Sequence, residues 1–263
     1  MAKENIFLRF ESTLQFAKYI DDAKTSATFA KQDLSSMRKG KSTDCECASL
    51  EEAQSRLKSG DRANFDKIKK ILSTTKMVGT GTSTRTKNYA DVVGFVPHVP
   101  NFCANVPQQM INQRCVRHKN SKVLNVLWNP TTSWNVESEE MLKVASGVLS
   151  EIYSAEKRGY RINLYVTLSS EKGGQNLTTL IKVKDASQYM DLAKVVYPMV
   201  NPMLLRRQFF RVVETQDVNN SFIGTYGSPI HRKEDIMKYL PKNFKMDYYY
   251  DFYTEHSRHQ EIK

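Results

Sequence analysis

The stretch that most constrains the fold is residues 122–160, KVLNVLWNPTTSWNVESEEMLKVASGVLSEIYSAEKRGY, where a short apolar run, a polar loop and a long amphipathic segment follow one another. Val123 to Trp128 is apolar except for Asn125, the pattern of a strand covered on both faces and too short to stand as a helix. Asn129-Pro130 stops it, and Thr131, Thr132 and Ser133 form a hydroxyl-rich connection. From Ser138, with Glu139 and Glu140 at the positive end of the helix dipole, Met141, Ala145, Val148, Leu149 and Ile152 recur on one helical face, and Gly159 ends the helix. Strand, short loop and crossover helix place the loop at the carboxyl end of a sheet strand, where open α/β folds bind their ligands. The expectation is an α/β domain with a mainly parallel sheet flanked by helices.

On the amino-terminal side, residues 12–22 read as a short helix burying Leu14, Ala17 and Ile20. Residues 35–47 are polar and turn-rich and read as a linker or exposed loop. Ser49-Leu50-Glu51-Glu52 has the form of a capping box, followed by an apolar face of Leu50, Ala53 and Leu57 and a stop at Gly60. A second helix carries Phe65, Ile68 and Leu72, with Lys67, Lys69, Lys70 and Lys76 around it. The glycine- and hydroxyl-rich residues 77–90 lack the Gly-Lys-Ser/Thr ending of a phosphate-binding loop and read as a flexible loop. Residues 91–112 hold three prolines among apolar residues and read as an ordered, extended connector in which His98 is a structural histidine.

On the carboxyl side, Ile162, Leu164, Val166 and Leu168 alternate as a strand, SEKGGQN turns it around, and a lysine-bearing partner strand follows as the sheet edge. Asp191 to Tyr197 reads as a helix stopped by Pro198, Asn201 to Arg207 as a second helical turn, and Phe209 to Val213 as a strand ending on Glu214. Asp235 to Leu240 reads as a helical turn, FKMDYYYDFY as a final strand, and the tail as frayed. The division this implies is a helical region over 1–90, a proline-rich connector over 91–121 and an α/β domain over 122–263.

The order strand, loop, helix, hairpin, helix, strand is similar to that of a von Willebrand factor A domain, a Rossmann-type fold. ASLEEAQSRLKSGD, DVVGFVPHVPNFCANVPQQMIN, the KRGYRINLY exit from the central helix, IKVKDASQYMDLAK, NPMLLRRQFFRVVET and GTYGSP further resemble a family of phage-encoded proteins of unknown function that carry such a domain. That resemblance implies a viral protein acting in the cytoplasm of an infected bacterium. A-type domains bind a divalent metal through Asp-x-Ser-x-Ser. Here the matching positions are Asn129, Thr131 and Ser133, so a neutral amide stands where the family has an anion. Magnesium would then depend on a carboxylate from Glu214 or Asp217, and a metal-free polar rim is the favoured expectation.

Three function classes follow. The first is a non-enzymatic interaction module, an adaptor or scaffold presenting Asn129, Thr131, Ser133, Glu214 and Thr225 to a protein partner such as an AAA+ ATPase or another phage protein. The second is a nucleic-acid binder, suggested by the net charge of +11, by Lys67, Lys69, Lys70 and Lys76, and by Arg206 and Arg207 beside Phe209 and Phe210. The third is an enzyme whose site is assembled from distant loops. No nucleophile elbow, HExxH, dinucleotide fingerprint or nuclease-like carboxylate cluster is present in the sequence. Cys45, Cys47, Cys103 and Cys115 lack zinc-site spacing and read as reduced structural thiols. No apolar run reaches the roughly 20 residues of a membrane span, and the charged first residues are unlike a signal peptide.

Overall fold

The computed structural model describes residues 4–40, 46–74, 86–115, 122–133 and 135–261. In chain order its regular elements are β1 (Ile6–Phe10), α1 (Thr13–Asp22), α2 (Leu50–Ser59), α3 (Arg62–Thr74), β2 (Thr86–Asp91), β3 (Val96–Pro97), α4 (Val99–Cys103) and β4 (Met110–Cys115). They continue with β5 (Val123–Asn129), α5 (Ser138–Lys157), β6 (Arg161–Lys172), β7 (Gln175–Lys184) and α6 (Leu192–Val200). A wide helical turn (Leu204–Phe209), α7 (Phe210–Thr215), β8 (Ser228–Pro229), α8 (Lys233–Tyr239), β9 (Tyr248–Asp251) and α9 (Phe252–Glu261) complete the chain. It divides into two compact units. The larger comprises Met1–Lys76, Val123–Tyr153 and Ile162–Lys263, the smaller Met77–Lys122 and Ser154–Arg161.

The larger unit is α/β with a mainly parallel central sheet flanked by helices, ordered β1-β7-β6-β5-β9, with β8 added against β6. β1 runs parallel to β7 and β9 parallel to β5. Contacts between β5 and β6 advance in the same sense along both strands. Asn163 Nδ2 donates to Asn125 Oδ1 at 2.9 Å, and further on Ser169 N donates to Thr131 Oγ1 at 3.4 Å. β6 and β7 form an antiparallel hairpin whose two-residue turn needs positive φ at both positions, 58° at Gly173 and 72° at Gly174.

The carboxyl half of β5 is the deepest part of this sheet: Val126, Leu127, Trp128 and Asn129 are all buried. Trp128 satisfies its one polar atom by donating from Nε1 to the Met199 carbonyl at 2.9 Å, so the indole is buried without stranding a donor. The expected face of α5 is buried at Met141, Ala145, Val148, Leu149 and Ile152. In α2 the capping box forms, with Glu52 N donating to Ser49 Oγ at 3.2 Å and the Glu52 carboxylate accepting from Ala48 N at 2.7 Å. At Gly60 (φ 94°) a Cβ would come within 2.8 Å of the Ala193 carbonyl oxygen, so α2 ends on a glycine that lets α6 approach.

Several local expectations need correction. β1 pairs with β7, so β7 is interior. Its lysines do not guard an edge: Lys184 is buried and donates to the Ile162 carbonyl at 3.2 Å, while Lys182 pairs with Asp185. On α1, Phe16 rather than Leu14 faces inward, and Leu14 is 61 % exposed. Helix α6 continues through Pro198, which lies in its last turn and removes a single backbone hydrogen bond. Residues 209–213 are helical rather than extended, because the apolar residues of Leu204–Thr215 bury at helical spacing: Leu205, Phe209, Val212 and Val213. The final strand is limited to β9, and the tail is helical through Glu261. The loop at 35–40 is a pinned turn in which Ser36 is fully buried.

In the smaller unit, β2, β4 and β3 make an antiparallel sheet where an irregular connector was expected. Gly94 sits so tightly that a Cβ would lie 2.2 Å from the Ile111 carbonyl oxygen. His98 caps α4, its Nδ1 accepting from Asn101 N at 3.2 Å, which is a structural role.

Leu127→Ala is expected to lower unfolding stability by roughly 2–5 kcal/mol in urea titration, as for fully buried leucines. Leu14→Ala should change it by less than about 0.5 kcal/mol. Equal losses would contradict the assignment of the core.

Candidate functional site

At the carboxyl end of β5 the chain leaves the sheet at Pro130, and the hydroxyl loop Thr131–Ser133 forms one wall of a pocket of about 570 Å³. The opposite wall comes from the turn at Ser35–Gly40, and the floor and remaining side from Leu205–Phe210, Ser170 and Thr225–Pro229. All of these segments belong to the larger unit. The lining carries four cationic side chains, Arg38, Lys39, Arg206 and Arg207, and among the described residues no carboxylate, imidazole or thiol.

The pocket is held in shape by polar groups behind its surface. Glu214, in the last turn of α7, is fully buried. One carboxylate oxygen accepts from Ser36 N at 3.1 Å and from the Tyr226 hydroxyl at 2.7 Å. The other accepts from the Ser36 hydroxyl and lies 3.5 Å from Arg211 Nη1. One anion therefore ties together the 35–40 turn, the 225–229 segment and α7. Tyr226 has φ 58°, a region a bulky side chain rarely adopts. It is held there by Glu214, by Ser35 N donating to its hydroxyl at 2.9 Å, and by stacking on Phe210 at 4.2 Å between ring centres. Burial first, and the hydrogen bond to Glu214 second, push the Tyr226 phenol up to about 12.

Arg207 is buried and donates to the carbonyl oxygens of Ser35, Ser36, Arg38, Gly40 and Cys47. Arg206 donates to the carbonyls of Ser133 (3.3 Å) and Val136 (2.8 Å). Both guanidiniums thus orient loops that wall the pocket while lending it positive charge. Arg38 is more exposed and pairs with Asp33 at 2.9 Å, a surface contact that contributes little to stability.

Of the rim expected from the sequence, Thr131, Ser133 and Thr225 line this pocket, whereas Asn129 and Glu214 do not. Asn129 is fully buried; its amide donates to the Ile230 carbonyl (2.8 Å) and the Tyr249 hydroxyl (3.1 Å) and accepts from Thr131 N (3.1 Å). It braces the loop from inside instead of facing a partner. Glu214 is not at a strand end, and its oxygens are already engaged, so it does not complete a cation site with Asn129, Thr131 and Ser133. Asp217 accepts from Thr28 Oγ1 at 3.1 Å. Among the described residues no three His, Cys, Asp or Glu side chains converge as a metal would require.

Of the basic residues singled out for nucleic acid, Lys67, Lys69 and Lys70 are exposed along α3, and Lys76 lies outside the described residues. Arg206 and Arg207 face backbone carbonyls rather than forming an open basic surface, and Phe209 is core. Cys47 is buried and Cys103 exposed, both free, and burial pushes the Cys47 thiol up to about 12. Sequence reasoning missed Arg38, Lys39, Ser170 and Tyr226. The signal available for them was the SSMRKGK run, read as linker, and the glycines around Tyr226, read only as turns.

The fold and this pocket define an α/β protein with a cationic, hydroxyl-lined cavity at the carboxyl end of a sheet strand. The chain belongs to the family described as Domain of unknown function (DUF7192), whose model matches residues 3–262. No curated protein and no solved structure was found to match it. No helix among the described residues is long and apolar enough to cross a membrane.

Tyr226→Phe removes a hydroxyl shared by Glu214 and Ser35 N, and should lower stability by roughly 1–3 kcal/mol near pH 7. The neutral phenol is favoured in the folded state. The stabilisation from its raised pKa is therefore fully present below about pH 10, the ordinary tyrosine value, and is lost as pH rises toward about 12. The gap between wild type and Tyr226→Phe in chemical denaturation should narrow over that window; a constant gap would contradict the assignment.

Proposed function

We propose that this protein is a binding module whose ligand is a small anion held in the pocket at the carboxyl end of β5. The single observation that carries the reading is the composition of the wall: Arg38, Lys39, Arg206 and Arg207 with several hydroxyls, and no carboxylate among the described residues. In a concave site partly shielded from water, such a set attracts negative charge more strongly than the same charges on an open surface. It also repels a divalent cation, so magnesium is not part of the reading. The lining provides donors and positive potential, the equipment of binding and orientation.

A flat rim offered to an AAA+ ATPase or another protein is the less favoured reading, since Asn129 lies beneath the surface and Glu214 is tied into the turn behind it. A nucleic-acid role rests on Lys67, Lys69 and Lys70 of α3 together with the net charge. A von Willebrand factor A-like ancestry is supported by the succession β5, loop, α5 and hairpin β6–β7. The helical 204–215 segment departs from that order. Origin in a bacterial virus and action in the host cytoplasm rest on the sequence resemblance.

In low-salt buffer, pyrophosphate and citrate are expected to raise the melting temperature in a dose-dependent way, as ligands of the folded state do. Arg38→Glu/Lys39→Glu should remove most of that rise while leaving the ligand-free melting temperature within a few degrees. An unchanged rise in the double variant, or no rise in the wild type, would overturn the reading.

A further inference from the structure

Two hydroxyls in the pocket wall stand apart from those around them. Thr132 Oγ1 and Ser170 Oγ are buried and have no hydrogen-bond partner within the protein, and both residues line the pocket. Their neighbours are satisfied. Thr131 Oγ1 accepts from Ser169 N, Ser169 Oγ pairs with Thr178 Oγ1 at 2.5 Å, and Thr167 and Thr179 donate to carbonyls across the β6–β7 ladder at 3.1 Å. A buried hydroxyl without a partner costs about 1–3 kcal/mol. Two of them facing one cavity, on a wall that otherwise bonds its hydroxyls, mark a place where a bound group supplies the missing acceptors.

The backbone around them leaves room for that group. Thr132 follows β5, and Ser170 lies opposite Pro229 of β8 in the β6–β8 pairing. The Ser169–Thr131 hydrogen bond joins the two strand ends. Between Ser170 and the β8 segment stands Gly227 at φ 84°. A Cβ there would fall 3.0 Å from Ser170 Cβ and 3.1 Å from its Oγ. A side chain at 227 would crowd the Ser170 hydroxyl, whereas glycine leaves it open.

We infer that Thr132 Oγ1 and Ser170 Oγ seat a phosphate group, and that the pocket's ligand is a small phosphomonoester whose body lies against Leu205, Phe210 and Pro229. The inference rests on the anion-binding reading above and names the ligand class for the same site. Hydroxyls diverging from two strand ends suit a tetrahedral oxyanion with several acceptor oxygens. A phosphomonoester carries about −1.5 to −2 charges near pH 7, matching a wall of four cations. A cavity of about 570 Å³ has room for an organic body beyond the phosphate itself.

The test uses calorimetric titration of the full chain with inorganic phosphate, phenyl phosphate and benzoate. Phenyl phosphate should bind more tightly than inorganic phosphate, and benzoate at least about tenfold more weakly than phenyl phosphate. Thr132→Val/Ser170→Ala should lose about tenfold or more in affinity for both phosphates, with its melting temperature unchanged or raised, because removing unpartnered buried hydroxyls costs the fold nothing. Each single variant should fall between, which keeps the test intact if the double variant folds poorly. Wild-type affinity in the hydroxyl variants, combined with lost affinity in Arg38→Glu/Lys39→Glu, would overturn the phosphate seat and leave the anion pocket standing. Wild-type affinity in both sets would overturn both. No saturable binding of either phosphate by the wild type would overturn the seat, while a citrate-induced rise in melting temperature would still support the pocket.

Discussion

A carboxylate sealed from solvent fixes the geometry on which the pocket depends. Glu214 accepts from the backbone and side chain of Ser36 and from Tyr226, and sits beside Arg211. Its contacts lie far apart in sequence, so one residue near the end of α7 determines where the 35–40 turn and the 225–229 segment stand. A buried anion is costly unless its lone pairs are filled. Here they are filled by the groups that must be positioned, so desolvation and loop placement are solved together. Arg207 does the complementary work from the cationic side, gathering carbonyls of the 35–47 segment.

Once these buried groups have set the walls, the surface that faces the cavity is cationic and rich in hydroxyls. The sheet contributes the rest. β5 delivers Thr131 to Ser133 at its carboxyl end, and β6 brings Ser170 alongside. β8 closes the far side with a backbone that tolerates close approach only because position 227 is glycine. Asn129 serves this arrangement from below by bonding Ile230, Tyr249 and the loop's own backbone. An aspartate there would put a buried negative charge where an amide now donates twice. That offers a physical reason for a neutral residue at the position where metal-binding relatives of the fold carry an anion.

The central architecture was legible because it rests on local pattern. The apolar run of β5, the heptad-like face of α5, the capping box of α2 and the Gly-Gly hairpin turn each follow from residue spacing. What escaped depends on tertiary context. β1 is a strand because β7 offers it an edge, and nothing in Ile6–Phe10 announces that pairing. Phe209 to Val213 has strand-like composition, yet its apolar residues pack at helical spacing once Leu204 and Leu205 are buried ahead of it. The 35–40 turn looked exposed because it is polar, and its polarity is what Glu214 and Arg207 bind. The position of the candidate site, at the end of β5, could be placed from topology. Its chemistry could not, because Arg38, Lys39, Ser170 and Tyr226 come from four separate segments.

The central claim is that this pocket, and not the rim or the lysine face of α3, meets the ligand. Amide chemical-shift mapping of the isotopically labelled protein during titration with phenyl phosphate tests it most directly. The account predicts saturable shifts clustered at residues 35–40, 131–133, 169–171 and 225–229. Shifts centred on Lys67 to Lys70 of α3, or none that saturate, would contradict it.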